Sequence, residues 1–109
     1  MSYSAPGSSR PRMPETKALQ MLIDNDQRQF QADLPGVQIL EVEPISTGDD
    51  QALRSFTYSP AKTGNWERVS YGEDGEFFLI FTVSSKTKND LLNALDDYKK
   101  FIGDYRASP

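Results

Sequence analysis

The sequence predicts an α+β fold, a four-stranded antiparallel meander flanked by an N-terminal and a C-terminal helix in the order α-β-β-β-β-α. Three observations lead there. Apolar residues recur at helical spacing near both ends, and four short stretches rich in β-branched and aromatic residues lie between them. Gly, Asp and Pro residues punctuate these stretches at hairpin-loop lengths. With 109 residues and no cysteine the chain fits one domain, because two would each be too small to bury a core without disulfides or metals.

Residues 1–13 are rich in Ser, Pro, Gly and Arg and have almost nothing to bury, so they read as a disordered tail ahead of a domain spanning 14–106. Pro14 and Glu15 suit a first helical turn, and Leu19, Leu22, Ile23 and Phe30 share one face of a helix expected over Pro14–Asp33. Leu34-Pro35-Gly36 ends it. Strands are expected at Val37–Ile45, Gln51–Ser59, Asn65–Tyr71 and Glu76–Ser84. Thr87 followed by Asp90 resembles a capping box, and Leu91, Leu95, Tyr98, Ile102 and Tyr105 form the stripe of a closing helix over Lys88–Tyr105. Residues 107–109 are expected to form a flexible end.

A tight turn at Glu73-Asp74 or Asp74-Gly75 pairs odd positions of the fourth strand with even positions of the third. One face then carries Phe77, Leu79, Phe81 and Val83 beside Trp66, Arg68 and Ser70; the other carries Phe78, Ile80 and Thr82 beside Glu67, Val69 and Tyr71. Both faces are largely apolar, so each needs a cover. Either the helices divide between the faces, or both lie on one and a partner protein covers the other. Trp66, Arg68 and Phe81 are the candidate partner-binding residues, since Trp and Arg are over-represented at binding hot spots.

The composition argues against most catalysis. Without histidine or cysteine the commonest general base, thiol nucleophile and soft metal ligands are missing, although Lys, Tyr and carboxylates leave an enzyme open. Ser70 has no Gly-x-Ser-x-Gly elbow and no histidine to activate it. The Lys62-Thr63 pair lacks a phosphate-loop frame, and Gly48-Asp49-Asp50 and Gly72–Glu76 read as turns, not as calcium loops. Asp24 with Asp26 and Asp96 with Asp97 read as solvated helical faces. No catalytic, cofactor or metal residue is assigned. Arg10 and Arg12 fall in the tail while all 16 acidic residues follow it, so the body repels phosphate backbones and nucleic acid is not expected as a partner. No apolar run is long enough to span a membrane, and the first residues lack a signal-peptide layout, which fits a cytoplasmic protein or a mature exported domain.

The segments Trp66–Tyr71, Glu76–Ser85 and Phe101–Tyr105 resemble the C-terminal part of PsbP-like and DcrB-like domains, a resemblance covering residues 51–106. Those domains have further strands before the first helix, where this chain has only its tail. The resemblance implies a non-catalytic binding or assembly module and transfers no functional residue. The expected function is thus an accessory or adaptor that binds a protein, with a homodimer left open. The alternatives are a small-ligand carrier or small enzyme with a pocket lined by Tyr58, Arg68 and Tyr71, and an acidic immunity or inhibitor protein.

Overall fold

The structure, a computed structural model, describes residues 2–4, 15–74 and 77–106, with the backbone alone at 2–4, 15 and 16. Its elements are β1 (Ser2–Ser4), α1 (Glu15–Asp33), β2 (Gln38–Ser46), β3 (Ala52–Ser59), β4 (Trp66–Asp74), β5 (Phe77–Ser85) and α2 (Lys88–Gly103). The expected α+β meander is β2 to β5, closed by α2. Thr87 caps α2 as its spacing suggests, its side chain accepting from the Asp90 amide. The helix stops at Gly103, short of the expected Tyr105, where its bonds tighten to three residues back: the Asp104 amide is shared with the Phe101 carbonyl and the Tyr105 amide donates to Ile102.

β1 is an element the sequence reading did not contain. It pairs antiparallel with β5, giving a five-stranded sheet of order β1-β5-β4-β3-β2. Ser-Tyr-Ser is too short and polar to read as a strand alone; the hydrogen-bonding edge of β5 supplies the pattern it lacks. The remainder of the expected tail, the Pro14 helix start and residues 107–109 lie outside the described residues.

The β4–β5 ladder runs from Trp66↔Ser85 to Asp74↔Phe77, so each β4 residue pairs two or four positions further along β5 than the two expected turns would set. An even-numbered change of register leaves every side chain on the expected face. The helices divide between those faces, which settles the alternatives left open above. On one, α1 brings Ile23, Leu19, Leu22 and Phe30 onto Phe56, Tyr58, Val69 and Tyr71. On the other, α2 brings Leu91, Tyr98 and Ile102 onto Ile45, Leu53, Leu79, Phe81 and Val83. The sheet is the middle layer of three, and neither face is left whole for a partner.

α1 is also clamped by charge. Arg54 of β3 grips the Glu41 carboxylate of β2 with two nitrogens at 3.0 Å, donates to Gln20 of α1 and lies over the Phe56 ring. That bidentate pair holds the Glu41 carboxyl below its ordinary range.

Ile102 is fully buried whereas Leu92, on the same helix, is about half exposed. Ile102→Ala is expected to lower the unfolding free energy by about 2–5 kcal/mol, and Leu92→Ala to change it by no more than about 0.5 kcal/mol. Urea unfolding of the two variants checks both, and equal losses would contradict the packing of α2.

Candidate functional site

Register places Trp66, Arg68 and Phe81 on the α2 face, as parity requires, but in different surroundings. Phe81 is buried, with Phe101 and Tyr105 edge-on to its ring. It belongs to the core, because α2 of its own chain occupies the position a partner would take. Trp66 is half-buried against the same cluster, with the Lys88 ammonium 6.0 Å from its ring. Arg68 lines an open groove between α2 and β2.

The groove follows from how α2 crosses the sheet. The helix crosses the sheet over β5, β4 and the Ile45 end of β2, and its end is tied to the β2–β3 hairpin where the Gly48 amide donates to the Tyr105 carbonyl at 2.7 Å. A side chain at position 48 would collide with Arg106 and the Gly103 carbonyl, so glycine permits this close approach. Tied there, α2 covers Ile45 but leaves Leu40 of β2, on the same face, 65% exposed. β2 itself slips by one residue between Val42 and Ile45, a bulge beside Pro44. The resulting groove of about 490 Å³ runs between Leu95 and Lys99 of α2 and Val42, Pro44 and Ile45 of β2, with Glu43 on the strand side and Arg68 also lining it.

Arg68 is 9% exposed. Its Nε donates to Thr57 Oγ1 at 2.9 Å across the β3–β4 pair, and among the described residues no carboxylate pairs with the guanidinium. Burial holds its pKa below the ordinary value, with the nearby Tyr98 acting the other way. A guanidinium stays protonated regardless. The guanidinium is therefore a charged donor group lining the groove with no acceptor of opposite charge among the described residues.

Two other polar clusters are closed. On the α2 face the Tyr98 hydroxyl donates to the Phe81 carbonyl at 2.8 Å and lies 2.8 Å from Ser70 Oγ, and Ser70 meets Ser55 at 2.7 Å. Ser70 is fully buried within this network, out of reach of any substrate. On the α1 face Tyr71 donates to Asp26 at 2.5 Å and its hydroxyl meets that of Tyr58 at 2.6 Å. Burial, then the bonds to Asp26 and Tyr58, raise the Tyr71 phenol far above its ordinary range, which unsuits it as a base or nucleophile. Tyr58 and Tyr71 thus lie across the sheet from Arg68, and the three form no common pocket.

Sequence reasoning isolated Arg68 but missed Leu95, Lys99, Val42 and Pro44 as its companions. Their one visible signal was a proline inside a strand, which marks an edge or a bulge. Among the described residues no group of three acidic side chains converges on a metal site, and no helix is long and apolar enough to cross a membrane. No family model, curated protein or solved structure matches the chain.

Burial raises the phenols of Tyr58, Tyr71 and Tyr98, the last to about 12. The folded state therefore holds protons that the unfolded chain releases near 10.0. The resulting stabilisation is fully present below that value and falls as pH rises from there toward 12. Phenolate absorbance is expected to show these three tyrosines ionising only as the chain unfolds; their free titration in the folded protein would contradict the networks.

Proposed function

We propose that the chain is a non-catalytic protein-binding module, an accessory or adaptor, that receives an extended segment of its partner in the groove between α2 and β2. The observation that supports this is Arg68, a buried guanidinium lining a groove with no counter-ion among the described residues. Leaving such a charge unpaired is expensive, and an acidic side chain from a partner would complete it. Leu95, Val42 and Pro44 offer apolar walls, and the exposed Leu40 continues them along β2. The matching segment is apolar with one carboxylate. Lys99 at the rim favours the same charge, while the acidic body elsewhere disfavours a strongly acidic partner surface. The PsbP-like and DcrB-like pattern belongs to the same proposal, since that resemblance implies an assembly module.

Chemical-shift mapping with the capped peptide Ala-Val-Glu-Leu-Ala, and with glutamine in place of its glutamate, tests this reading. The glutamate peptide is expected to move the amides of Val42–Ser46 and Leu95–Lys99 and to bind at least about tenfold more tightly than the glutamine form, a difference of about 1.4 kcal/mol. Arg68→Leu is expected to erase that difference. Shifts that survive Arg68→Leu, or none in the groove at all, would reject it.

A further inference from the structure

The layer between α1 and the sheet is apolar except for one carboxylate from each side. Leu19, Leu22, Ile23 and Phe30 form the inner stripe of α1, and Asp26, three residues after Ile23 and four before Phe30, falls on the same stripe. Across from it, Glu67 of β4 shares a face with Val69 and Tyr71, since alternate residues of a strand point the same way. Tyr71 donates to Asp26, the Tyr58 and Tyr71 hydroxyls meet at 2.6 Å, and Glu67 is the register partner of Tyr58. Asp26 and Glu67 thus flank one phenol pair, and both are half-buried.

Among the described residues no Lys or Arg forms an ion pair with either carboxylate. Arg54 is the cation that the sheet presents to α1, but it lies four residues back along β3 from Tyr58 and is held by Glu41 and Gln20. On α1 itself Arg28 donates to Asn25, and Asp24 accepts from Gln20. From β5 the register partner of Glu67 is Ser84, and that of Val69 is Thr82, both uncharged. Glu73 is the other charge of β4 on this face, six residues further along the strand. Lys62 and Asp33 line a separate crevice past the end of α1, with Leu34 and Pro35.

Withdrawing a carboxylate from water beside another favours its neutral form. Burial first, then the Asp26 charge, raise the Glu67 carboxyl above its ordinary value of 4.5. We propose that α1 is a proton-controlled latch: Glu67 takes up a proton when α1 closes over it, so the helix is held most firmly in mildly acidic solution and opens more readily at neutral pH. The folded chain binds that proton more tightly than the unfolded chain does. The resulting contribution is fully present below 4.5 and is lost as pH rises through the higher folded value. The Glu41 carboxylate, which holds Arg54 against Gln20 of α1, has the opposite sense: its contribution is present above 4.5 and is lost as pH falls through its lowered value. The two senses meet near 4.5, where α1 is docked best. Opening of the latch uncovers Phe56, Tyr58, Val69 and Tyr71. That face is the one away from the Arg68 groove, and either device could fail without the other.

Hydrogen exchange of the full chain, corrected for the intrinsic rates, tests the latch together with Glu67→Gln, which imitates the protonated acid. Wild-type amides of Ile23–Phe30 should be at least about threefold better protected at about pH 5 than at about pH 7, while those of Leu91–Ile102 change less. In Glu67→Gln the same α1 amides should be at least about threefold better protected than in wild type at about pH 7 and should lose most of their pH dependence. An NMR titration of the Glu67 carboxyl carbon reads the proton without any variant, and its midpoint is expected above 4.5. A midpoint at or below 4.5 would overturn the proposal, as would equal protection of α1 in the two chains at neutral pH. A pH change shared equally by α1 and α2 would also overturn it, by assigning the proton to global unfolding.

Discussion

The unbroken apolar run Phe77–Phe81 is the constraint from which the rest of the architecture follows. Alternate residues of a strand face opposite sides, so five consecutive large apolar residues load both faces of the sheet and demand a layer on each. Two helices serve two faces, one apiece. A single helix is narrower than a five-stranded sheet, and α2 must sit over β5 and β4 because Leu79, Phe81 and Val83 are there. The far side of that face, at Leu40 of β2, is left uncovered, with Val42 half-buried beside it. The groove is thus the geometric remainder of burying β5, and Arg68 occupies the row of the sheet where the cover ends.

Polar groups inside the layers are treated in two contrasting ways. Ser55, Ser70 and Tyr98 form a closed set with the Phe81 and Leu53 carbonyls, as do Asp26, Tyr58 and Tyr71 beneath α1. Satisfied networks of this kind fix the register of helix on sheet without exposing a reactive atom. Arg68 differs in having, among the described residues, one neutral acceptor, Thr57, and no partner of opposite charge. Arg54 shows what this chain does with a guanidinium meant for structure, matching it to Glu41 and Gln20. The contrast between the two arginines, both on central strands, is what singles out Arg68.

Much of the fold was legible because its signals are local. The Leu91–Ile102 stripe and the Thr87 cap specify α2, and odd-even parity across a tight turn is indifferent to a shift of two residues, so the faces of β4 and β5 could be assigned before the exact turn was known. β1 was illegible since its strand character belongs to its partner: nothing in Ser-Tyr-Ser encodes a strand until β5 is beside it. The groove was only half legible. Arg68 stood out as a charge on an apolar face, but its companions come from β2 and α2, whose juxtaposition depends on the bulge at Pro44 and the contact between Gly48 and Tyr105. That Phe81 lies under α2 was not legible for a related reason: hydrophobicity on a strand face does not tell which helix, own or foreign, lies over it.

The central claim is that Arg68 is held for a ligand and does not support the fold, and the stability of Arg68→Met in urea tests it most directly. Replacing a buried charge that has no partner by an apolar side chain of similar length removes a desolvation penalty at the expense of one neutral hydrogen bond, so the variant should unfold within about 1 kcal/mol of wild type. A loss of about 3 kcal/mol or more, the signature of a broken buried ion pair, would show that the guanidinium is already matched within the chain and would contradict the account.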